Sequence, residues 1–79
     1  MVISMMSNIV GNNIRKLRKK HGMNQKELAE KLNIRRQTVS AYEREVSIPD
    51  IYTLIRIADI FSVSLDELAG RNSVKKKKP

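Results

Sequence analysis

The sequence predicts an all-α domain of five short helices, and three observations predict it. Apolar residues recur at spacings of three and four, the repeat of a single helix face. Two capping boxes, Asn24 with Glu27 and Ser64 with Glu67, mark helix starts. No stretch alternates apolar and polar residues long enough to read as a strand.

The first helix is expected from Ser7 to His21, with Val10, Ile14 and Leu17 on its inner face. Arg15, Lys16, Arg18, Lys19 and Lys20 fill the remainder, and Gly22 ends the helix in the left-handed region. The second opens at Gln25 behind the Asn24/Glu27 box and turns Leu28, Ala29 and Leu32 inward. The third runs from Arg36 to Arg44 with Val39 and Tyr42 facing in, and a loop closed by Pro49 follows it. Asp50 caps a fourth helix carrying Ile51, Leu54, Ile55, Ala58 and Phe61. A fifth, behind Ser64, carries Leu65, Leu68 and Ala69 before Gly70 stops it.

At 79 residues the chain is one domain at most, because a smaller fold would bury too little surface. With no cysteine it has neither a disulfide nor a thiolate metal site, so apolar packing must hold it, and a reducing cytoplasm suits it. Residues 1–6 are expected as a flexible arm, 7–70 as the folded domain and 71–79 as a disordered basic tail. The opening has no basic segment ahead of an apolar core and no run near the ~18 residues a bilayer span needs, so neither secretion nor a membrane partner is expected.

The net charge of +8 is unevenly placed. Residues 1–44 hold ten basic and three acidic side chains, residues 45–70 one and five, and residues 71–79 five basic ones. A positive charge confined to particular segments presents a directional field to a polyanion. His21 is the only histidine, and no acidic pair is flanked by one, so no catalytic residue, metal ligand or cofactor is expected.

Between Leu32 and Arg36 the joint is too short for antiparallel helices. The two must cross steeply, with small Ala29 at the approach and Asn33 tolerating positive φ in the turn. A step of 100° per residue then gathers Gln37, Ser40, Ala41 and Arg44 on the outward face, with Arg35 and Arg36 at the helix start. Such a face suits a major groove: Arg offers a bidentate contact to guanine, Gln to adenine, and small residues permit close approach. Arg15, Lys16, Lys19 and Lys20 read first as a solvated face whose field assists binding.

The segments IRKLRKKHGMNQKELAEKL, RRQTVSAYER, IPDIYTLIRIADIF and VSLDELAG, in this order, resemble the Cro/repressor-type, or xenobiotic-response-element, helix-turn-helix family of regulators. The resemblance covers about Val10 to Gly70 and implies a lambda-repressor-like DNA-binding domain acting on double-stranded DNA. It makes Arg36 to Arg44 the recognition helix, Gln25 a DNA backbone contact, and Arg18 with Glu43 a structural ion pair. Base contacts are then expected from Arg36, Gln37, Ser40, Ala41 and Arg44, and backbone contacts from Asn24, Gln25, Arg35 and Thr38. A homodimer on a palindromic operator follows, with Ile60, Val63, Leu65 and Leu68 as its surface and residues 1–6 as a competitor. The implied role is a transcriptional repressor, cytoplasmic and nucleoid-associated. The alternative is an antitoxin that binds its operator and a protein partner.

Three positions depart from the family pattern. Asn33 stands where Gly is usual in the turn, and the same geometry is expected. Arg35 replaces the Ser or Thr cap, losing about 1 kcal/mol and gaining a cation beside the groove. Glu45 replaces the Gly after the recognition helix, so that end is expected to differ by a residue or to bind phosphate less readily.

Overall fold

The computed structural model describes the backbone of residues 2–70 and the side chains of residues 9–70. It contains five helices: α1 (Val2–Lys20), α2 (Gln25–Leu32), α3 (Arg36–Glu43), α4 (Ile51–Phe61) and α5 (Leu65–Leu68). There is no strand among the described residues. α1 lies against α3, α4 and α5, and α2 against α3 and α4, so every helix shares one core.

That core consists of Ile14, Leu28, Ala29, Leu32, Val39, Tyr42, Ile57, Ala58, Phe61 and Leu68. Both capping boxes form as expected: Asn24 Oδ1 accepts from the Glu27 amide at 2.8 Å, and Ser64 Oγ from the Glu67 amide at 3.0 Å. In each the Glu carboxylate accepts from the capping residue's own amide, satisfying two orphan donors at once.

The first four helices end in one device. In each, a residue with positive φ follows the helix: Gly22 (65°), Asn33 (60°), Glu45 (67°) and Ser62 (57°). Its amide and the next one donate back into the last turn, as Asn33 to Glu30 and Ile34 to Ala29 at 3.1 and 3.0 Å, a Schellman closure. Of these, Glu45 and Ser62 hold left-handed backbone at side chains ill suited to it. α3 accordingly ends at Glu43 with Arg44 as its cap, one residue before its expected end.

Two long side chains close other helix ends. Asn13 Nδ2 donates to the carbonyl of Leu68 at 3.0 Å, tying α1 to the end of α5. Arg56 donates from Nη1 and Nη2 to the carbonyls of Leu32 and Lys31, both at 3.2 Å, tying α4 to the end of α2. Each bond satisfies carbonyls that the helix cannot pair internally.

Three expectations are corrected. The stretch 1–6, expected as a flexible arm, is helical from Val2, because nothing between Val2 and Ser7 is a Gly or Pro that would break the turn-to-turn hydrogen bonding. Ile51 and Ile55, expected inward, are 53% and 41% exposed, and Ile57 takes their place in the core. Leu54, Ile57, Ala58 and Phe61 form the true i, i+3, i+4, i+7 stripe, which a helix with apolar residues on several sides does not single out. Leu68, expected on a dimer surface, is 1% exposed and belongs to the core of its own chain, whereas its neighbour Leu65 is 38% exposed. The tail 71–79 lies outside the described residues.

Candidate nucleic-acid interface

α2 and α3 form the steeply crossed pair that the short joint demands. Ala29 and Ile34 meet across the closure, and Leu28, Leu32, Val39 and Tyr42 lock the pair into the core. Burying Val39 and Tyr42 fixes the rotation of α3 about its axis. Arg35, Arg36, Gln37 and Arg44 therefore stand exposed, and Thr38, Ser40 and Ala41 half-buried, on the side away from the core. Arg35 occupies the N-cap position without a side-chain cap, so its guanidinium is not spent on the helix. Arg44 Nε donates to Ser40 Oγ at 3.1 Å, which pairs the two groups along the outward face.

The one acid of α3, Glu43, is turned inward and neutralised. Its Oε2 accepts from Arg18 Nε at 2.7 Å, and its Oε1 accepts from Arg18 Nη2 and from Gln25 Nε2, both at 3.1 Å. Arg18 Nη1 donates to the Met23 carbonyl at 2.9 Å. The hydrogen bond to Glu43 pushes the Arg18 guanidinium above its ordinary range, with burial opposing. Three helices meet at this carboxylate: α1 through Arg18, α2 through Gln25, and α3 itself. The expected Arg18 to Glu43 pair is present, and the contact to Gln25 is new.

That contact matters because Glu43 accepts only, so the Gln25 amide must present its nitrogen inward. One N–H of Gln25 is thereby committed, and the other N–H and the carbonyl of its amide make no hydrogen bond among the described residues at the start of α2. Asn24, beside it, has its carbonyl oxygen committed to the cap.

Gln25, Ser40, Glu43 and Arg44 share an open depression of about 300 Å³ with Arg15, Arg18 and Lys19 of α1. Arg15 and Lys19 are thus beside the recognition face, a position that helix charge alone did not reveal. The signal was available: Arg15, Arg18 and Lys19 are spaced i, i+3, i+4, so all three share the face that Arg18 turns toward α3. Lys16 instead lines a second depression of about 280 Å³ with Asn13, Leu17, Val63 and Glu67, on the side of α5.

Of the residues expected at a dimer surface, Ile60 and Val63 are half-buried, Leu65 is exposed and Leu68 is core. No helix of the described residues is long and apolar enough to cross a membrane, and none of their His, Asp and Glu side chains cluster in threes as metal ligands would.

The helix-turn-helix family profile matches residues 14–68. The HTH-type transcriptional regulator ImmR of Bacillus subtilis is 43% identical over 68 residues, covering 86% of this chain and 54% of that protein. An HTH-type transcriptional regulator of Archaeoglobus fulgidus is 36% identical over 55 residues, 70% of this chain and 79% of that protein. A transcriptional regulator from Listeria innocua superposes with a TM-score of 0.74 at 41% identity, covering 77% of this chain and 57% of that one. A tyrosine-to-phenylalanine variant of the restriction-modification controller protein C.Esp1396I does so with a TM-score of 0.75 at 31% identity, covering 91% and 95%. The chain spans about half the length of two Bacillus relatives it matches, 54% of ImmR and 55% of YqaE. With its crossed helix pair and its profile match over 14–68, the chain belongs to the Cro/repressor-type helix-turn-helix family of transcriptional regulators.

Proposed function

We propose that this protein is a sequence-specific double-stranded DNA-binding regulator, a repressor, that inserts α3 into the major groove. The observation that carries the reading is the outward face of α3, where Arg36, Gln37, Ser40, Ala41 and Arg44 stand together while its one acid is turned inward onto Arg18. Arg36, Gln37, Ser40 and Arg44 read base edges, and Ala41 lets the backbone come close. Gln25, Arg35, Thr38 and the Asn24 end of α2 hold phosphates and set the register.

Two copies related by a two-fold axis would set their α3 helices about 34 Å apart on one face of the duplex, reading a palindrome. Ile60, Val63 and Leu65 are the surface for that pairing. A DNA role places the protein in the cytoplasm, on the nucleoid, with no catalytic step. Selection of bound fragments from random duplex yields site, symmetry and spacing together. Gln37→Ala with Arg44→Ala should then lower the preference for the selected duplex over a scrambled one about 30-fold or more, at ~1–3 kcal/mol for each of the two bidentate contacts. An unchanged preference would remove α3 from base readout.

A further inference from the structure

We propose that Arg15 and Lys19 of α1 form a clamp for DNA backbone phosphate that lies outside the helix-turn-helix pair, beside the base-reading Arg44. The clamp rests on the duplex-binding reading and extends it to a helix that the motif does not include.

Four observations carry it. Arg15 and Lys19 stand four residues apart on one face of α1, and both line the depression that also holds Gln25, Ser40 and Arg44. The depression is open and, at about 300 Å³, is larger than a phosphate group. Its one carboxylate, Glu43, is already answered by Arg18 at 2.7 Å and by Gln25 at 3.1 Å, leaving no anion there to repel another. No side-chain hydrogen bond or ion pair among the described residues engages Arg15 or Lys19, so neither side chain is committed to holding the fold.

Cations grouped in a concavity next to a groove-reading helix form a phosphate site rather than a base-reading one. A lysine and an arginine aimed at phosphate add affinity and salt dependence equally for every sequence. Lys16 and Lys20 provide the internal control. They lie about 100° further round α1, and Lys16 faces the α5 side.

The test measures affinity against salt concentration for the full chain, on the duplex selected from random sequence and on a scrambled duplex of equal length. Arg15→Gln with Lys19→Gln should reduce the slope of log K against log salt by about 2, at ~0.9 per phosphate contact, and should do so alike on both duplexes. Lys16→Gln with Lys20→Gln removes the same charge and should change the slope by less than half as much. Arg15→Lys with Lys19→Arg should retain the original slope. Equal slope changes for the two Gln pairs, or none for Arg15 and Lys19, would overturn the clamp while leaving duplex binding in place. A changed preference between the duplexes would also overturn it. If the unmodified chain bound neither duplex, the DNA reading would fail and the clamp with it.

Discussion

The Arg18 guanidinium grips the Glu43 carboxylate with two prongs, Nε to Oε2 at 2.7 Å and Nη2 to Oε1 at 3.1 Å, bridging 25 residues of sequence. Arg18 is 9% exposed and the pair joins α1 to the end of α3, so its removal leaves a guanidinium buried without its counter-ion. Glu43→Ala should lower stability by about 3–5 kcal/mol, measured by urea unfolding. Arg18→Met with Glu43→Leu should recover most of that loss, since replacing both partners removes the stranded charge. A single Glu43→Ala variant as stable as the parent would show that the pair holds nothing.

Gly11 lies in the middle of α1, where a glycine normally weakens a helix by about 0.5–1 kcal/mol relative to alanine. Here a methyl group would run into the backbone carbonyl oxygen of Tyr42. Gly11→Ala should therefore destabilise, by about 1–3 kcal/mol, against the sign that helix propensity gives. A thermal melt decides it, and a higher melting temperature would mean that α1 and α3 stand further apart than described.

Ser62 holds φ at 57° in the closure after α4, a conformation that costs a residue with a Cβ about 1–2 kcal/mol. Ser62→Gly should raise stability by about 1 kcal/mol, and Ser62→Ala should not. Asn33, at 60°, suits the left-handed region better, so Asn33→Gly should gain less. Chemical denaturation of the three variants ranks them directly.

The Thr53 hydroxyl donates to Asp50 Oδ1 at 2.6 Å, and that bond holds the Asp50 carboxyl below its ordinary range. A carboxyl whose folded value is depressed contributes stability above its unfolded value and loses it as pH falls through the folded one. Unfolding measured from pH 6 down through the carboxylate range should show this component fading on the acid side. Thr53→Ala should flatten it while leaving the difference between pH 6 and pH 7 unchanged.

Much of the fold was legible in local chemistry. The capping boxes at Asn24 and Ser64 need only a side-chain oxygen and a Glu three residues on, so sequence located the starts of α2 and α5 to the residue. The rotation of α3 was equally legible, because Val39 and Tyr42 are its only bulky apolar residues and must face in. α4 was not, since Ile51, Leu54, Ile55, Ile57 and Ile60 offer apolar surface on several sides and only the neighbouring helices choose among them. α1 hid its start because no Gly or Pro interrupts Val2 to Ser7.

By itself, then, the sequence determined the number and order of helices, the crossed pair, and which side chains α3 turns outward, since each follows from hydrogen bonding and apolar spacing within a few residues. Tertiary structure alone decided that Leu68 serves its own core, that Gly11 must remain small beneath the Tyr42 carbonyl, and that Glu43 orients Gln25. It also decided that Lys16 stands on the side of α5 rather than beside the recognition face. The physical reason is range. Caps and periodicity act within one or two turns, whereas these four outcomes depend on which distant helix arrives at a given face.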